Sequence, residues 1–243
     1  MALRSFLDGA LFAEVYGEGT PDILALHGWG RRGSDFAAVL EGFSGIAPDL
    51  PGFGASPAPD EVIGADAYAD IVAAILDSFD RPPVLVGHSF GGRVAVCLAA
   101  KHPSRVGPLV LTGVPLIRLR TGRRPAAGYR FARWMNRVGL FSDVRMEKEK
   151  RKRGSEDYRT ASGVMRDILV KVVNESYEGQ LGRISSPVHL LWGEDDTDVP
   201  LSVAEAAQAL IADADLEVLS GVGHFVPLQA PDAVREAIVR ARR

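Results

Sequence analysis

The chain is poor in cysteine: its 243 residues contain a single one, Cys97, so no disulfide can form within it. Nothing in the composition therefore calls for an oxidising compartment. An uninterrupted apolar run of about 18 residues is also missing, which excludes a membrane-spanning helix. The opening stretch Met1 to Gly9 has no apolar centre of the length a secretion signal needs, so a cytoplasmic location is expected. No internal repeat and no low-complexity linker breaks the chain. No pair of histidines stands at zinc spacing and no acidic run has the spacing of a calcium loop, so a bound metal is not expected. What is present is ordinary for a globular protein: 47% apolar and 24% charged residues. This length commonly builds one core, and a single domain over residues 1–243 is expected.

Charge is distributed unevenly. Between Ile117 and Arg153 the chain carries 13 Lys/Arg against 3 Asp/Glu, leaving 15 basic and 28 acidic residues for the rest. Such a segment is either a solvated basic helix face or a guide for an anionic substrate or an acidic carrier.

Short apolar runs recur, each followed by a helical stretch: Ile23 to Leu26, Val84 to Val86, Leu109 to Leu111, Val188 to Trp192 and Leu216 to Leu219, with a weaker one at Gly45 to Ala47. Most are continuous rather than alternating, as strands covered on both faces are. The rhythm predicts an α/β fold, a mostly parallel doubly wound sheet with helices on both faces. Ahead of it, Arg4 to Tyr16 reads as an edge hairpin turning at Asp8-Gly9. From about residue 116 to 180 the strands stop. Phe131, Trp134, Met135 and Val138 fall at helical spacing there, and a second helical stretch runs from about Tyr158 to Tyr177. This predicts a small helical cap inserted over the C-terminal edge of the sheet.

Gly87-His88-Ser89-Phe90-Gly91 fits G-x-S-x-G, with Gly92 next, between an apolar run and a helix-forming one. A strand-to-helix turn this sharp strains the serine backbone and holds Oγ above the strand ends; glycines on either side avoid collision. Ser89 is thus a candidate nucleophile, and it needs a base. Five histidines compete. His88 adjoins Ser89, but neighbours on a sharp turn point apart. His102 ends the outgoing helix, His189 lies mid-strand as a packed residue, and His27 suits the shaping of a loop. His224, just after the last strand, stands where such sheets place their chemistry. The orienting carboxylate belongs between serine and histidine, where Asp195, Asp196 and Asp198 compete.

These motifs, with His27-Gly28-Trp29-Gly30, Asp49-Leu50-Pro51-Gly52-Phe53-Gly54-Ala55-Ser56 and Trp192-Gly193 through Val199-Pro200, resemble the α/β-hydrolase family along nearly the whole chain. The resemblance implies Asp196 as the acid and the backbone N–H groups of Trp29 and Phe90 as the oxyanion hole. It leaves the Trp29 side chain to wall the acyl pocket or to pack under the cap. Serine at position 89 sets aside the branches of the family that use aspartate there, the haloalkane dehalogenases and epoxide hydrolases. The His27 and Asp49 motifs look like those of pimeloyl-carrier methyl ester esterases, which act on a substrate tethered to an acidic carrier. Gly91-Gly92-Arg93 is similar instead to a menaquinone-pathway lyase, in which such an arginine holds substrate carboxylates.

The reading that follows is a serine hydrolase cleaving a carboxylic ester or thioester of a small molecule, possibly anionic or carrier-linked. It calls for no cofactor, metal or nucleic acid. Candidate substrate-binding residues are Trp29, Arg93, Phe131 and Trp134. C–C bond hydrolysis or a lyase reaction with the same residues is the alternative, and a ligand-sensing receptor is the rival from another class.

Overall fold

The computed structural model describes residues 2–118 and 156–242. The expected candidates Phe131 and Trp134, and most of the basic segment, lie outside the described residues. Eight strands form one sheet: β1 (Ala2–Phe6), β2 (Leu11–Tyr16), β3 (Ile23–Leu26), β4 (Gly45–Asp49), β5 (Val84–His88), β6 (Leu109–Thr112), β7 (Val188–Gly193) and β8 (Ala214–Leu219). Their order is β1-β2-β4-β3-β5-β6-β7-β8, with β1 and β2 antiparallel and the other six parallel. Every apolar run read from the sequence is a strand; β3 keeps its bounds, and β4, β5, β6, β7 and β8 are each a residue or two longer.

The continuous apolar character of these strands follows from two cores. Leu24, Leu26, Leu85, Leu109, Leu111 and Leu190 face one side. They meet α2 (Ala65–Ala73), α3 (Phe90–Lys101) and α7 (Leu201–Gln208). Ile23, Ala25, Val84, Val86, Val110 and Leu191 alternate with them and face α1 (Ala37–Leu40) and α9 (Pro231–Ala241). Because the side-chain period of a strand is two, both faces must be apolar when both are covered.

The hairpin at the edge differs in its turn. The connection spans Leu7 to Ala10, and left-handed backbone is taken by Leu7 (φ 53°), Asp8 (φ 52°) and Gly9 (φ 91°) rather than by Asp8-Gly9 alone. Between β6 and β7 the described residues form α4 (Glu156–Thr160), α5 (Gly163–Val172) and α6 (Glu178–Leu181). The single helical stretch expected over Tyr158 to Tyr177 is therefore divided. Gly163, at φ +53°, breaks the run, and α5 ends before Tyr177. Among the described residues no helix is long and apolar enough to cross a membrane.

Candidate active site

Ser89 stands between β5 and α3 with φ 49° and ψ −112°, a backbone conformation that costs a residue other than glycine about 1–3 kcal/mol. The neighbours hold it there. Ser89 N donates to the Thr112 carbonyl on β6 at 2.9 Å, and the Ser89 carbonyl accepts from Gly92 N at 3.1 Å. The glycines are required by close approach: a Cβ on Gly91 would collide with the Leu26 carbonyl, and one on Gly87 would lie 2.6 Å from the Gly92 Cα.

The candidate acid and base arrive on the loops after β7 and β8. Asp195 N donates to the Val222 carbonyl at 2.9 Å, and Gly193 lies so close to the Val222 and Gly223 carbonyls that no side chain fits. These contacts bring the two loops together. Asp196 is buried and its Oδ1 accepts from Asp198 N at 2.9 Å and Val199 N at 2.8 Å, while Asp195 and Asp198 are exposed. The buried indole of Trp192 donates to the Val199 carbonyl at 2.8 Å and ties this turn to β7. Among the three aspartates the contact to histidine belongs to Asp196: its Oδ2 is 2.9 Å from His224 Nδ1. On the other side of the ring, His224 Nε2 is 3.1 Å from Ser89 Oγ. With Nδ1–H donated to Asp196, Nε2 is left to accept from the serine hydroxyl. Burial works to raise the Asp196 carboxyl, but the hydrogen bonds from His224 and from the Val199 and Asp198 amides prevail and hold it below its ordinary value.

Two residues beside this chain were not singled out by the sequence reading. Gly113, at φ +57°, packs flat against the pair: a Cβ there would lie 2.9 Å from His224 Nδ1 and 3.2 Å from Asp196 Oδ2. A glycine directly after a strand end facing the serine turn is the one signal that pointed to it. Thr112 receives His88, whose Nδ1 is 3.1 Å from the Thr112 carbonyl and 3.0 Å from its hydroxyl. The His88 ring lies 5.0 Å from that of His224. Burial keeps it neutral, lowering it to about 3.

His27 and His102 fall as the sequence suggested, whereas His189, expected to be packed mid-strand, is the second residue of β7 and half-buried. His27 accepts from Leu50 N at 2.9 Å through Nε2 and so donates Nδ1–H to the Gly28 carbonyl at 2.7 Å, holding the β3 loop. Burial lowers it to about 4. His102 caps the end of α3, and His189 pairs with Asp215 on β8.

The loop after β3 runs against the serine: a Cβ on Gly28 would be 3.4 Å from Ser89 Cβ. Trp29 follows, half-buried, edge-on to Phe53 at 4.9 Å and to Phe90 at 5.3 Å between ring centroids. Asp49 clamps this wall, accepting from Gly33 N at 2.8 Å and Ala55 N at 2.7 Å. Arg93 goes elsewhere. Expected as a candidate for holding a substrate carboxylate, its guanidinium instead donates to the Val172 carbonyl and lies 5.7 Å from the Tyr177 ring centroid.

A strained serine, a histidine and a buried aspartate gather on loops after parallel strands, at the C-terminal edge of the sheet of an α/β protein, where such sheets place their chemistry. The chain belongs to the alpha/beta hydrolase family, whose sequence model matches residues 23–237. It is 47% identical over 105 residues to a pimeloyl-[acyl-carrier protein] methyl ester esterase of Chromobacterium violaceum, a match spanning 42% of this chain and 39% of that one. It is 27% identical to a 2-hydroxy-6-oxononadienedioate/2-hydroxy-6-oxononatrienedioate hydrolase of Cupriavidus pinatubonensis, over 92% of this chain and 87% of the relative. A thermophilic esterase from Thermogutta terrifontis superposes with a TM-score of 0.66 at 26% identity, covering 95% of this chain and 92% of the other.

Proposed function

We propose that the chain is a serine hydrolase that cleaves a carboxylic ester or thioester of a small molecule through an acyl-enzyme on Ser89. The observation that carries this reading is the continuous chain from Ser89 Oγ to His224 at 3.1 Å and from His224 to Asp196 at 2.9 Å. His224, held by Asp196, takes the hydroxyl proton as Ser89 attacks the carbonyl carbon. The oxyanion that forms sits between the N–H groups of Trp29 and Phe90, two fixed dipoles that need no reorganisation as charge develops. His224 then gives its proton to the leaving alcohol or thiol. A water molecule, deprotonated in turn by His224, attacks the acyl carbon, releasing the acid and restoring Ser89. The described helices α4 to α6 act as a cap that excludes water and selects the acyl group. No cofactor takes part in these steps.

Turnover of p-nitrophenyl acetate and butyrate tests the reading. Multiple turnovers are expected, whereas one stoichiometric burst would point to a ligand-sensing receptor. Ser89→Ala removes the nucleophile and is expected to cut kcat by about 10⁵ to 10⁶; full activity in that variant would sink the assignment. The near full-length similarity to the Cupriavidus hydrolase favours a second reading, cleavage of a C–C bond beside a ketone with His224 protonating carbon. A vinylogous 1,5-diketone substrate assayed beside the esters separates the two.

A further inference from the structure

Arg93 lies on α3 four residues after Ser89, and its side chain is buried. A guanidinium inside a protein is costly unless other groups meet it. Here the Val172 carbonyl, at the end of α5, accepts from Nη1, and the Tyr177 ring lies under Cζ at 5.7 Å. The Tyr177 hydroxyl donates to Glu175 Oε2 at 2.7 Å. Glu175 in turn accepts from Ala65 N at 3.2 Å, at the start of α2, where unpaired amides and the helix dipole favour a carboxylate. The backbone closes the same neck: Tyr177 N donates to the Leu116 carbonyl at 3.0 Å, and Arg118 donates to the Asn174 carbonyl at 3.2 Å. Leu116 and Tyr177 are the two ends from which the β6–β7 segment leaves and re-enters the body.

What this neck holds reaches the serine. From α5, Met165 packs on Gly52 so closely that a Cβ there would run into its thioether. Tyr158, Val164 and Met165 join the same apolar cluster as Trp29, Phe53 and Phe90. The end of α5 is thus tied to the nucleophile helix, and its start lies against the wall beside Ser89.

We propose that Arg93 is a positioning residue which, with Tyr177 and Glu175, pins the root of the β6–β7 segment to α3 and α2 and so sets the depth of the acyl pocket between Trp29, Phe53 and Met165. The residue thereby governs selectivity for acyl length and not for negative charge. This rests on the assignment of Ser89 as nucleophile. The Arg93 Nε–H meets no acceptor among the described residues, so an anionic ester is the necessary control.

The experiment measures kcat and KM for p-nitrophenyl acetate, p-nitrophenyl octanoate and the p-nitrophenyl half-ester of adipic acid in wild type, Arg93→Ala and Tyr177→Phe. Arg93→Ala is expected to shift the octanoate-to-acetate ratio of kcat/KM about tenfold, carried by KM. Tyr177→Phe, which keeps the ring and loses only the hydroxyl between Arg93 and Glu175, moves the ratio in the same direction by about threefold. Its kcat on acetate stays within about twofold of wild type. Loss confined to the adipate half-ester, or an equal fall on all three substrates, overturns the proposal. Hydrogen exchange reads the anchor without any substrate. Faster exchange at the amides of Tyr177 and Ala65 in Arg93→Ala, with β5 unchanged, supports it, and unchanged protection overturns it. A wild type that hydrolyses none of the esters removes the Ser89 reading, and the exchange result then decides the anchor alone.

Discussion

The rim carrying Ser89, Asp196 and His224 and the neck carrying Arg93, Tyr177 and Glu175 are built by opposite means. At the rim, short chain segments do the positioning. A five-residue turn holds the serine, a four-residue turn holds the aspartate through the Asp198 and Val199 amides, and close-packed glycines let the loops touch. At the neck, side chains far apart in sequence meet: Arg93 and Val172 are 79 positions apart, and Glu175 and Ala65 are 110. Local backbone geometry leaves a sequence signature because it demands particular residues at fixed offsets. A long-range side-chain network leaves none, since arginine, tyrosine and glutamate are each at home on a surface.

The contrast can be broken at the rim first. Asp196→Asn keeps the shape but leaves His224 without its anionic partner and in the wrong tautomer, and kcat should fall about 10⁴-fold with little change in KM. A fall below tenfold would show that the carboxylate does not orient the base. Gly113→Ala tests the packing against that pair. With φ at +57° and the new Cβ about 3 Å from His224, it should displace the ring and cost about 10²-fold in kcat. It should also lower stability by about 1–2 kcal/mol. A crystal structure with His224 unmoved would remove this explanation.

Beneath the rim, the comparison is sharpened by a slope with pH. Burial holds His88 at about 3 and His27 at about 4, against about 6.5 in an unfolded chain. Between pH 4 and 6.5 the unfolded state therefore binds two protons that the folded state refuses. Stability rises with pH across that window by about 1.4 kcal/mol per unit for each histidine. Asp196, whose carboxyl is held low, contributes its own loss only at lower pH, as the folded carboxylate is protonated. Denaturant titrations of His88→Gln from pH 4 to 6.5 should show about half the wild-type slope. An unaltered slope would mean that His88 accepts a proton in the folded protein.

The same division explains what could be read from residues alone. The six parallel strands were legible because two covered faces force continuous apolar runs, and Leu24 and Ile23 do go to opposite cores. The position of Ser89 was legible because few sequences tolerate φ near +49° next to two close-packed glycines. Asp196 could be separated from Asp195 and Asp198 only by family resemblance, because burial, not spacing, distinguishes the three. The partners of Arg93 were not legible at all. A guanidinium four residues past Ser89 is as suited to an anion as to a carbonyl, and only the folded chain brings Val172 there.

Cys97 lies on the same helix that begins beside Ser89, fully buried, and burial pushes its thiol up to about 12. An uncharged, inaccessible thiol is inert toward alkylating reagents. As the chain's one sulfhydryl, it is a native chemical timer: its labelling rate reports how often α3 parts from the sheet. Any ligand that settles at the head of that helix should slow the clock.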